Sequence, residues 1–244
     1  MATPLHWAQK EAVWAVTDDL SAGHKKVLVD MPTRAGKTGV LFYLLEVMTK
    51  GNSCPQTTIC GETDEQVQNL LREAEKFAPT AFSRGMVEAH TPASLRKRGS
   101  LPPILIMTYA GRTKAVLDGT LDPMQERWLG EDEGQHMTSD LREDTHTRNP
   151  KAIHIALSAS PDYSEVKGLT ALGYKRSYTL PLQRSIDGKL NCNIRNVVVE
   201  MENVQLSLDD IARTSDDFSP DDLERLVRRT EVMENLIRFA RHYH

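Results

Sequence analysis

Short apolar runs alternate with stretches of helical periodicity along this chain, and that alternation restricts the fold more than any other feature of the sequence. The runs are KVLVD (26–30), TTIC (57–60), GMVEA (85–89), ILIMT (104–108), AIHIALS (152–158) and NVVVEM (196–201). Between them, GKTGVLFYLLEVMTK (36–50) and DEQVQNLLREAEKFA (64–78) place apolar residues three and four apart, as a helix with a buried stripe does. Strands apolar on both faces and separated by helices are the mark of a parallel sheet covered on each side. The expectation is an α/β fold of three layers around a mainly parallel central sheet, occupying residues 1–203. Over residues 204–244 the texture changes to that of a helical tail. There Ser219, Pro220 and two aspartates make a helix start, and Leu223, Leu226, Leu236 and Ile237 supply a buried stripe. At 244 residues the chain has room for one such domain and this appendage.

Charge and cysteine content narrow the setting. A net charge of −4 gives no general attraction to nucleic acid, so any such binding has to use a local groove. The one compact basic run, Arg96-Lys97-Arg98, reads equally well as a solvated loop. Three cysteines, Cys54, Cys60 and Cys192, make neither a disulfide framework nor a zinc pattern. No stretch has the length of a membrane span, and the N-terminus carries charges where an export signal needs an apolar core. The expected location is cytoplasmic, with no membrane partner.

The run VLVD leads directly into MPTRAGKT and then into an apolar helix, the setting of a phosphate loop. There the backbone N–H groups of Thr33, Arg34, Ala35, Gly36, Lys37 and Thr38 would converge on phosphate, helped by the partial positive charge of the helix N-terminus. Lys37 would hold the β- and γ-phosphates of ATP, and the Thr38 hydroxyl would bind Mg²⁺. Two positions depart from G-x-x-x-x-G-K-[ST] or its common form. Met31 replaces the first glycine, at the loop's edge, and Arg34 stands where glycine is frequent. Further on, EDEGQHM (131–137) supplies adjacent carboxylates. Asp132 could reach the Mg²⁺ while Glu133 deprotonates the attacking water, as phosphoryl transfer to water requires. The segment before them is weak as a buried strand, since Gly130 and Glu131 stand where aliphatic residues are expected.

In this order PTRAGKT, DEGQ and LSASP resemble motifs I, II and III of superfamily 2 helicases and translocases, of the DEAD/DEAH and restriction-subunit type. The resemblance covers essentially the whole chain and implies a RecA-like P-loop NTPase lobe using ATP and Mg²⁺. It implies that Gln9, in LHWAQKEAV, reads the adenine edge and that Thr108, in IMTYAGRT, touches the nucleic-acid backbone. It also implies that Gln135 or the following His136, with Ser158, Ala159 and Ser160, couples the nucleotide site to motif III. Lys37, Asp132 and Glu133 would then be the catalytic set.

A superfamily 2 motor needs a second RecA-like lobe for its arginine finger and half its nucleic-acid track. The second lobe's Q-x-x-G-R-x-x-R signature does not occur in the sequence, which stops about where that lobe would begin. The expectation is therefore an N-terminal ATP-binding lobe, with a second lobe in the full-length protein or a partner chain and with nucleic acid, DNA favoured over RNA, as substrate. Two other readings are weighed beside it: a catalytically weak nucleotide-binding interaction subunit, and a P-loop small-molecule kinase. The ordered Gln9, Asp132-Glu133 and Ser158-Ala159-Ser160 set argues against the kinase, which has no need of it.

Overall fold

The computed structural model describes residues 3–138, 140–162 and 168–192. They fall within one compact unit ending at Cys192. The run at 196–201, the boundary at 203 and the helical tail over 204–244 lie outside the described residues.

Seven strands form one sheet: β1 (Lys26–Asp30), β2 (Thr57–Gly61), β3 (Val87–Ala89), β4 (Ile104–Thr108), β5 (Trp128–Asp132), β6 (Ile153–Ser158) and β7 (Lys175–Thr179). Their spatial order is β3-β4-β2-β5-β6-β1-β7, and every pairing is parallel. Helices α1 (Trp7–Ser21), α2 (Lys37–Lys50), α3 (Asp64–Phe77) and α4 (Pro79–Ser83) belong to the N-terminal half. The rest are α5 (Pro92–Arg98), α6 (Tyr109–Leu117), α7 (Asp140–Thr147) and α8 (Leu182–Asp187), with a short 3-10 turn at Gly134–Thr138. This is the three-layer α/β architecture that the alternating pattern predicts. No helix among the described residues is long and apolar enough to cross a membrane.

Alternation along each strand divides the core between the two faces. Val27, Val29, Ile59, Ile106, Ile155 and Leu157 pack with α1, α2 and α3, whereas Leu28, Cys60 and Ala156 face the opposite layer with Tyr109, Met137, Leu169 and Tyr174. The α2 helix is apolar nearly all round because it is covered nearly all round, with α1 and α3 as neighbours. Its one buried acid, Glu46, keeps its charge by accepting from the Thr80 N–H (2.9 Å) and hydroxyl and pairing with Lys50.

Gly130 and Glu131 do lie on a strand, and each has a packing reason. A Cβ at Gly130 would stand 2.5 Å from a Leu41 methyl, so glycine lets α2 approach the sheet closely. On the other face the buried Glu131 carboxylate accepts from His154 Nδ1 (2.8 Å) and the Tyr174 hydroxyl (2.6 Å). Those bonds hold its pKa below the usual carboxylate range despite burial. A second strand outside the apolar runs is β7. Its sequence, KRSYT, lies at the sheet edge, where only Tyr178 is buried and charged residues are expected.

Candidate functional site

Strand order assembles the site. β5, β6 and β1 are consecutive neighbours, and their registers set Asp30 opposite Ser158 and Asp132 opposite Leu157. The residues after all three strands therefore meet at the carboxyl edge, the usual place for ligands in an open α/β sheet.

After β1 the chain turns through residues 31–36 into α2. Met31 is wholly buried in the core and its N–H donates to the Ser158 carbonyl (3.0 Å), so its side chain stays clear of the loop's concave side. Arg34 has a φ of 64° and Gly36 a φ of 74°, both left-handed. Left-handed residues placed between right-handed ones turn successive N–H groups inward, as an anion nest does. No side chain caps α2, so its first N–H groups are left for a ligand. This donor set fits a phosphate group.

Three side chains hold the loop from outside. Gln9 is almost completely buried; its Nε2 donates to the Gly36 carbonyl (2.8 Å), and its Oε1 accepts from the His6 N–H (3.1 Å) as half of a capping box on α1. His6 Nδ1 accepts from the Gln9 N–H, which leaves Nε2–H to donate to the Ala35 carbonyl (3.1 Å). A Cβ at Gly36 or Gly39 would stand 2.7 or 2.5 Å from Gln9 Nε2, so both glycines make room for that amide. On the other side, Asn191 donates to the Thr33 carbonyl (3.0 Å) and is itself held by Ser185 (2.6 Å). Sequence reasoning singled out Gln9 but neither His6 nor Asn191.

The acidic pair faces the loop. The Thr38 hydroxyl donates to Asp132 Oδ1 (3.4 Å), and Lys37 Nζ lies 3.4 Å from Glu133 Oε1. Two hard oxygen donors side by side, a hydroxyl and a carboxylate, suit Mg²⁺. Burial, with the Glu133 charge alongside, raises the Asp132 pKa to about 6. Glu133 has a φ of 50°, so the turn after β5 is held in a left-handed conformation that side chains rarely adopt.

From Glu133 a hydrogen-bonded chain runs to the end of β6. Gln135 Nε2 donates to Glu133 Oε2 (3.0 Å), the Ser158 hydroxyl donates to Gln135 Oε1 (2.5 Å), and the Ser160 N–H donates to Ser158 Oγ (3.1 Å). Ala159 is carried between the two serines. Of the two coupling candidates, Gln135 occupies this chain, whereas His136 offers its carbonyl to Arg142 (2.9 Å). Thr108 lies at the end of β4, where its hydroxyl caps α6 by accepting from the Gly111 N–H (3.0 Å). In the basic run, Arg96 pairs with Asp118 and Arg98 with Glu88, both at 2.7 Å, which is the behaviour of a solvated surface.

Solved structures share this architecture. The Hef helicase domain of Pyrococcus furiosus superposes with a TM-score of 0.54 at 16% identity, over 72% of this chain and 39% of its own. The UvsW helicase of bacteriophage T4 gives 0.54 and 17%, over 72% of this chain and 59% of its own. The Type ISP restriction-modification enzyme LlaGI, solved without its nuclease and with a DNA substrate mimic, gives 0.54 and 12%, over 78% of this chain and 21% of its own. In each case this chain spans less than two thirds of the matched structure. No family model and no curated protein matches it. At these identities the likeness is one of fold: the chain has the α/β RecA-like fold that these helicase structures share.

Proposed function

We propose that this chain is the ATP-binding and hydrolysing lobe of a superfamily 2 motor that works on nucleic acid in the cytoplasm, with DNA as the favoured substrate. The observation that carries the proposal is the continuous link from Lys37 through Glu133 and Gln135 to Ser158 at one sheet edge. A phosphate loop alone would serve a small-molecule kinase equally well; a wired connection from the acidic pair to the end of β6 serves a motor.

In this reading the loop N–H groups from Thr33 to Thr38 receive the phosphates, and Lys37 exchanges its Glu133 partner for the β- and γ-oxygens. Mg²⁺, when bound, neutralises charge on those phosphates. Thr38 and Asp132 would hold it. Release from Lys37 leaves Glu133 free to orient a water molecule and take its proton, while Gln135 keeps the carboxylate aimed and reports its position to Ser158. Thr108 is the proposed backbone contact. Gln9 first anchors the loop, and it reads adenine only if its amide leaves the Gly36 carbonyl.

Full turnover is proposed to need a second RecA-like lobe, from the full-length protein or a partner chain, because an arginine finger is worth roughly 10³ to 10⁵ in rate. The test is ATPase turnover of the 244-residue chain with and without that lobe in trans. Slow turnover alone, a nucleic-acid-dependent rise on addition, and loss of that rise in Glu133→Gln with ATP still bound are expected. Robust nucleic-acid-stimulated hydrolysis by the chain alone would contradict it.

A further inference from the structure

Tyr109 is the residue after Thr108, the first of α6, and none of its side chain reaches solvent. Its ring lies among Leu28, Cys60, Ala156 and Leu169, with the Arg142 guanidinium 5.6 Å from its centroid and the His146 ring 5.7 Å away. Phenylalanine would satisfy every one of those contacts. What only tyrosine provides is the hydroxyl, which donates to the main-chain carbonyl of Asp132 at 3.1 Å. That carbonyl belongs to the peptide joining Asp132 to the left-handed Glu133, so its orientation sets the direction of both carboxylates at once. A left-handed side-chain residue is held only where its surroundings fix it, and a hydrogen bond from a buried phenol is a fixing element of suitable strength. Arg142 braces the 3-10 turn that follows: it donates to the His136 carbonyl (2.9 Å) and to the Glu62 carboxylate (2.8 and 3.2 Å) while covering the Tyr109 ring.

We infer that Tyr109 is a positioning residue, whose phenol holds the Asp132-Glu133 turn in the shape that binds Mg²⁺ from the same β4–α6 turn that presents Thr108. The inference rests on the proposed function, because it needs the acidic pair to be the metal end of a nucleotide site. It adds a structural consequence: a shift of the α6 N-terminus is felt one residue away by the group that orients the carboxylates.

The test is calorimetric titration of ATP into the full chain, first in EDTA and then in Mg²⁺, for wild type and Tyr109→Phe. Among the described residues no hydrogen bond or ring contact joins Tyr109 to residues 31–38, so metal-free affinity is expected to stay within about twofold, while the increment added by Mg²⁺ falls about five- to tenfold. A general loosening would lower both affinities together, and that result overturns the inference, as does an undiminished increment. Absence of nucleotide binding by the wild type itself would remove the proposed function, and the inference with it, at the first titration rather than the second. Should Tyr109→Phe fail to fold, site-specific 3-fluorotyrosine at 109 strengthens the donor with the ring retained. The increment is then expected to rise, and an unchanged one overturns the inference.

Discussion

Arg34→Gly tests whether the proposed phosphate loop works through its backbone or through this side chain. Arg34 has a φ of 64°, its side chain is exposed, and among the described residues it has no ion pair or hydrogen-bond partner. Holding a side-chain residue in the left-handed region costs about 1–2 kcal/mol, which glycine avoids. Against this, glycine gives the unfolded chain more freedom, worth about 0.4–1 kcal/mol. The net expectation is a gain of about 0 to 1.5 kcal/mol, and for a unit of this size a rise in melting temperature of roughly 0 to 5 °C. Arg34→Val sharpens the measurement, because a β-branched residue is a true outlier at positive φ and should melt below wild type. Mg·ATP affinity of Arg34→Gly, measured by calorimetry, is expected to match or exceed wild type. A loss of tenfold or more, growing as salt is lowered, would show that the guanidinium is itself a phosphate ligand and refute the backbone reading.

Two further outcomes follow from groups beyond the loop. Gln9→Ala removes the anchor on the Gly36 carbonyl and should weaken ATP and GTP alike, by about three- to tenfold for one lost hydrogen bond; a loss confined to ATP would show that Gln9 reads adenine. His146 is buried beside Arg112, which lowers its pKa from 6.5 to about 3. The unfolded chain therefore takes up a proton below pH 6.5 that the native state refuses until about pH 3, so this group's contribution is complete above 6.5 and is lost as pH falls. Asp132, raised to about 6, titrates in the same window with the opposite sign, so the informative quantity is wild type minus His146→Gln. By urea melts that difference should shrink by at most about 1.4 kcal/mol per pH unit between pH 6.5 and 3. A pH-independent difference would mean that His146 is charged in the native state.

What the sequence discloses about this molecule follows the physics of its signals. Strands buried on both faces are legible because their apolar runs are continuous, and β1, β2, β4 and β6 fall where those runs lie. β5 is obscured because one of its faces takes a glycine for close packing and the other a carboxylate that finds partners 23 and 43 residues away. The edge strand β7 carries no apolar run at all. At the proposed site, Lys37, Thr38, Asp132 and Glu133 stand out because the chemistry proposed for them demands those residue types at those places after strands. The residues that brace them, His6, Asn191 and Tyr109, act by hydrogen bonds to distant backbone carbonyls, and no spacing rule records such a bond. The one local hint was His6 three residues before Gln9, where it forms a capping box.

The central claim is that residues 31–38 with Asp132 and Glu133 form a nucleotide site. It is tested most directly by titrating Mg·ATP into the wild-type chain and into Lys37→Ala. Lys37 is buried and faces both the loop and Glu133, so its removal should delete a charge-assisted phosphate contact without disturbing the fold. The expected cost is about 1.5–3 kcal/mol, or roughly ten- to more than a hundredfold in affinity. Equal binding by the two proteins would contradict the assignment of this loop as the phosphate site.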